Sequence, residues 1–113
     1  MTLSFSEYQK QARGTAIYPN QNSINGLMYT ALGLAGEAGE TADQTKKVLR
    51  DDNGQLTPIR LDKLKKELGD TLWYLANMAE ELGMSLEEIA QHNLDKLHDR
   101  QDRGVLQGDG GLR

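Results

Sequence analysis

The chain has 113 residues, a formal charge of −4 at pH 7 and no cysteine. That length fits one domain with one core, and the lack of cysteine excludes disulfides and thiolate metal sites. The acidic balance and the absence of a Lys/Arg run argue against nucleic acid and anionic membrane as partners. No apolar stretch reaches membrane-spanning length, and MTLSFSEYQKQ lacks the basic and apolar regions of a signal peptide, so the expected location is the cytoplasm.

In chain order, Ser4 and Glu7 have the form of a capping box, and Phe5, Tyr8 and Ala12 recur at helical spacing, so a first helix is predicted to about Arg13. Tyr18-Pro19-Asn20 ends that segment. Asn22 or Ser23 then caps a second helix running to about Arg50, before the turn-like Asp51-Asp52-Asn53-Gly54. Its Ile24, Leu27, Met28, Ala31, Ala35, Ala38 and Ala42 share a narrow arc, which is read as a core stripe. Thr57-Pro58 caps a third helix reaching Leu82, with Gly83 as its stop and Leu61, Leu64, Leu68, Leu72, Leu75, Ala79 and Leu82 as its stripe. Ser85 and Glu88 form a capping box that opens a fourth helix to around Arg103. The glycine-rich tail, about 104–113, is expected to lack regular structure. No strand or hairpin pattern competes, so the class is all-α, a small four-helix bundle-like domain over 1–113. The second and third helices are long for so small a protein, and their stripes exceed what one chain covers, which predicts a homo-oligomer.

Glu37 and Glu40 on the second helix, and Glu67 and Asp70 on the third, are each spaced by three. That spacing puts both carboxylates of a pair on one side of a helix, with Cβ atoms roughly 5–6 Å apart. Facing each other across a cleft, close carboxylates repel by roughly 3 kcal/mol at an effective dielectric of about 20. A hard divalent cation, magnesium or manganese, relieves that repulsion and suits substrates whose phosphates complete its shell. Glycine costs a helix roughly 1 kcal/mol relative to alanine, yet Gly33, Gly36 and Gly39 flank the first pair. They point to close approach of a backbone or a ligand. Asp70 is a poor mid-helix residue, which points to a need for a short carboxylate.

Asn93 falls within the apolar arc of the fourth helix, where a buried amide needs partners. Lys96 and Arg100 follow at three and seven residues, near the same face. Together they offer an amide, an ammonium and a guanidinium to phosphate oxygens, against the plainer reading of basic residues complementing a helix C-terminus. Trp73 is read as core or subunit contact, Lys65 and Lys66 as surface residues, and His92 and His98 as structural or surface residues.

These residues resemble the MazG-type nucleotide pyrophosphohydrolases, all-α enzymes carrying Glu-x-x-Glu, a variable gap and Glu-x-x-Asp. Here the gap between Glu40 and Glu67 is 26 residues. TAIYP at 15–19, GLAGEAGETAD at 33–43, KKELGDTLWYLA at 65–76 and NLDKLHDRQDRGVLQGDGGLR at 93–113 look like family segments. The resemblance implies a magnesium-dependent enzyme, with manganese as a possible substitute, that cleaves a nucleoside triphosphate between its α and β phosphates to give monophosphate and pyrophosphate. It implies Glu37, Glu40, Glu67 and Asp70 as metal-binding and catalytic positions, Asn93, Lys96 and Arg100 as substrate-binding positions, and Arg113 as a weaker one closing over a site. It also implies assembly as dimers or tetramers. Phosphoribosyl-ATP pyrophosphohydrolase, a dUTP-selective relative and a non-catalytic nucleotide-binding oligomer are the alternatives. A carboxylate-bridged di-iron bundle needs Glu-x-x-His, which the sequence lacks.

Overall fold

Each helix starts at a hydroxyl side chain that accepts a backbone N–H three residues on: Ser4 from Glu7, Ser23 from Gly26, Thr57 from Arg60 and Ser85 from Glu88. A computed structural model describes residues 2–108 and 111, and these caps open α1 (Phe5–Gly14), α2 (Ile24–Asp51), α3 (Pro58–Glu81) and α4 (Leu86–Asp102). At α4 the capping box is complete, with the Glu88 side chain returning to the Ser85 N–H. Gly83 takes a positive φ of 68°, which ends α3 and turns the chain into α4. Among the described residues there is no strand, and no helix is long and apolar enough to cross a membrane.

α2 and α3 form an antiparallel hairpin that is the main packing unit, with α1 laid on α3 and the start of α4 laid on α1. The buried apolar residues are Ala12, Tyr18, Val48, Ala76, Ala79 and Leu86, with Tyr8, Trp73 and Ile89 packed around the α1–α3–α4 part. This is a small core for the chain's length. The radius of gyration is 17.0 Å, against about 13 Å for a compact domain of this size.

The two stripes read from the sequence as core are largely on the outside of the single chain. On α2, Ile24 is 66% exposed and Met28, Ala35, Ala38 and Ala42 are exposed too. On α3, Leu61, Leu75 and Leu82 are exposed and Leu68 is 58% exposed. The faces that meet are the other ones: Gly26, Thr30 and Val48 are buried on α2, and Arg60 and Asn77 on α3. The difference has a physical source. Periodicity identifies an apolar face, but not which surface covers it.

Polar groups carry the seam. Glu81, whose side chain is fully buried, accepts from Tyr18 Oη at 2.5 Å, from Arg13 Nη1 at 3.0 Å and from the Asn22 N–H at 2.8 Å. Arg13 also donates to Asn77 Oδ1 and Asn22 Oδ1, which ties α1 and the 15–23 connection to the end of α3. Gly26 leaves the room this needs, since a Cβ there would meet the Glu81 carboxylate and the Asn20 carbonyl oxygen. At the other end, Arg60 donates to Asp52 and Gln44 and fastens the α2–α3 turn.

Burial alone would raise the Glu81 pKa, but the hydrogen bonds from Tyr18, Arg13 and Asn22 outweigh it and bring the carboxyl below its ordinary value. Burial, then the bond to Glu81, pushes Tyr18 up to about 12, so it stays a donor. A depressed carboxyl stabilises the fold above its unfolded pKa, and that contribution is lost as pH falls through the folded value. Glu81→Gln is therefore expected to cost about 3 kcal/mol at neutral pH, as when one partner of a buried pair is removed. Urea titrations at several pH values should show the variant's deficit shrinking below about pH 4.

Candidate metal centre

Midway along the hairpin, α2 presents Gly33 and Glu37 to α3, and α3 presents Glu67, Asp70 and Tyr74 in return. Thr41 and Thr71 turn their hydroxyls back onto the carbonyls of Glu37 and Glu67, so they do not compete for the carboxylates. One carboxylate oxygen each from Glu37, Glu67 and Asp70 lies within 4.8 Å of the others, with Glu37 and Glu67 half-buried and Asp70 exposed. Glu40, on the next turn of α2, is exposed and stands outside this trio.

Burial is the first cause that raises the Glu37 pKa. A hydrogen bond shared with Glu67 follows, and then the charges of Asp70, Glu67 and Glu40. Among the described residues, none of the three carboxylates forms an ion pair with a lysine or arginine. Three oxygen donors gathered without an organic counter-ion match what magnesium or manganese takes, and they lack the nitrogen and sulfur that zinc or copper favour. The donor set fits the cation.

Beside the trio lies an open pocket of about 300 Å³ lined by Glu37, Asp70, Trp73 and Tyr74. Its aromatic side continues through Tyr29, whose ring stacks on Tyr18 with centroids 4.7 Å apart, and through Trp73, which meets Tyr74 edge-on at 5.0 Å. Trp73 is half-buried and donates its indole N–H to Thr15, in keeping with its reading as a core contact. A larger cleft of about 610 Å³ lies where α1 meets the α3–α4 turn. Gln9 there is spent on Glu80, the Met84 carbonyl and the Leu86 N–H, and no carboxylate trio converges.

The residues read as phosphate ligands are elsewhere in the single chain. Asn93 and Lys96 are exposed on α4, so the amide expected to be buried is not. Arg100 is buried, 6% exposed, and donates to the Gly111 carbonyl. None of the three lines the pocket. Arg113 lies outside the described residues. His92, His98, Lys65 and Lys66 are all exposed, with Lys66 paired to Asp62.

Sequence reasoning passed over Glu81, Arg13 and Tyr18, which brace the end of the hairpin nearest the pocket. The signal was present in the spacing: Glu67, Asp70, Tyr74, Asn77 and Glu81 recur at alternating intervals of three and four along α3.

The description of the MazG nucleotide pyrophosphohydrolase domain matches residues 27–105, which span α2, α3 and α4 and hold all the acidic positions above. The chain is 50% identical over 109 residues to the Gene 37 protein of Mycobacterium phage L5, covering 94% of this chain and 96% of that one. No solved structure matches it. With its acidic trio set between α2 and α3, the chain belongs to the MazG nucleotide pyrophosphohydrolase domain family.

Proposed function

We propose that this protein hydrolyses nucleoside triphosphates between the α and β phosphates, releasing a monophosphate and pyrophosphate, with magnesium held by Glu37, Glu67 and Asp70. The observation that carries the reading is the gathering of those three carboxylates on one seam, none of them in an ion pair among the described residues. When bound, the divalent ion supplies charge neutralisation and Lewis acidity at the phosphates. Glu40, exposed one turn from Glu37, is assigned to orient or deprotonate the attacking water, with Glu37 as the alternative. Manganese serves in magnesium's place.

Catalysis on a triphosphate also calls for cations on the leaving pyrophosphate. Lys96 and Arg100 are assigned that task, and the Asn93 amide donates to the same phosphate oxygens. Because α4 packs on α1, away from the acidic seam of its own chain, they act on the seam of a second copy. The exposed stripes of α2 and α3, together with the extended outline of the single chain, support assembly as a homo-oligomer in which those stripes form the shared core.

The test is to incubate the purified protein with magnesium and each common or damaged (deoxy)nucleoside triphosphate, phosphoribosyl-ATP and dUTP included, and to separate the products by chromatography. Monophosphate and pyrophosphate in equal amounts, abolished by EDTA, are expected. Release of orthophosphate instead, or no turnover of any substrate, would overturn the reading.

A further inference from the structure

Of the glycines on α2 that flank the acidic residues, only Gly33 is crowded within the chain; a Cβ on Gly36 or Gly39 would meet nothing. A Cβ built on Gly33 would overlap the edge of the Tyr74 ring, 2.5 Å from Cζ and nearer still to Cε1 and Cδ1. The ring lies on the bare helix backbone. Trp73 meets it edge-on at 5.0 Å and Tyr29 stands tilted at 6.4 Å, while its remaining side borders the open pocket.

This seat is one turn from the acidic trio on both helices: Gly33 precedes Glu37 by four residues, and Tyr74 follows Asp70 by four. The approach of ring to backbone therefore fixes how far α2 stands from α3 where Glu37 faces Glu67 and Asp70. A cation of this class binds oxygen at roughly 2.0–2.2 Å and tolerates little error in spacing. An added methyl must either push the ring from its seat towards the open pocket beside the trio or part the helices. Parting them widens the span between the carboxylates, which is now within 4.8 Å.

We propose that Gly33 is a positioning residue of the metal centre, acting through Tyr74 to set the α2–α3 separation at which Glu37, Glu67 and Asp70 share one divalent ion. This rests on the assignment of those carboxylates to metal made above. Gly33 itself touches neither ion nor substrate.

The experiment is calorimetric titration of the full-length protein with Mn²⁺ alone, alongside far-UV circular dichroism. Gly33→Ala is expected to keep its helicity and bind Mn²⁺ at least about tenfold more weakly, the cost of disturbed ligand geometry. Adding Tyr74→Ala to Gly33→Ala vacates the space for the methyl and should recover most of the lost affinity, a non-additivity that general destabilisation would not produce. Should Gly33→Ala fail to fold, the contact is probed from its other side: Tyr74→Trp oversizes the ring and weakens Mn²⁺ binding, while Tyr74→Phe keeps the seat and the affinity. Wild-type affinity in folded Gly33→Ala or in Tyr74→Trp would overturn the positioning role, as would a double variant no better than Gly33→Ala. If the wild type takes up no Mn²⁺ at all, the metal assignment fails first, and that result is distinct from these.

Discussion

Asp70→Asn is expected to lower metal-dependent pyrophosphate release by about 10²–10³-fold or more, the scale on which loss of one preorganised electrostatic group is felt. The metal-free protein should become no less stable at the same time. Three carboxylate oxygens within 4.8 Å repel one another, and removing the Asp70 charge relieves that repulsion. Because Asp70 is exposed, solvent screens much of that repulsion, and the gain is expected at about 1 kcal/mol or less. A rise in thermal midpoint without metal, paired with collapse of turnover, is the pattern of a site kept at a cost to stability. A fall in both would make Asp70 a structural residue. Glu40→Gln separates the roles within the acidic set: its carboxylate stands outside the trio, so turnover should fall while Mn²⁺ affinity measured by calorimetry stays near wild type.

Much of this arrangement was legible in the sequence, and the part that was not has a definite cause. Caps are local chemistry: a hydroxyl at Ser4, Ser23, Thr57 or Ser85 bonds an N–H three residues away, so helix starts could be read to within a residue. The acidic spacing is nearly as local, because two residues three apart on a helix must share a side. Whether two such sides face one another depends on which face each helix turns inward, and there hydropathy misled. Ile24 and Leu68 lie on apolar stripes that the single chain leaves outside, while Thr30, Asn77 and Glu81 fill the α2–α3 seam.

Two features pointed the right way. Gly33 marked the place where α2 receives a ring, a need no apolar count registers. The alternating three–four spacing from Glu67 to Glu81 marked the inward face of α3 without regard to polarity. A buried polar seam of this kind is sustained only when its members are satisfied, and among the described residues no buried side-chain polar atom lacks a partner. Asn93, Lys96 and Arg100, read from the sequence as phosphate ligands, do not line the pocket of their own chain, and spacing along one helix carries no information about a second copy.

If those α4 residues serve a neighbour's acidic trio, two inactive proteins should rescue each other. Lys96→Ala removes an exposed ammonium and is expected to cost about 10²-fold in turnover without disturbing the fold. Asp70→Asn inactivates the acidic half. In a dimer purified through two different tags, one Asp70→Asn subunit and one Lys96→Ala subunit generate two unlike composite sites. One combines both lesions. The other combines the intact trio of the Lys96→Ala subunit with the intact α4 of its neighbour, so about half the wild-type activity should return. Were α4 to serve its own chain, each site would carry one lesion and the mixed dimer would be as inactive as its parents. Activity regained on mixing thus depends on the sharing of sites between copies, and a mixed dimer that stays inactive while the wild type turns over would return Lys96 to the solvated surface of α4.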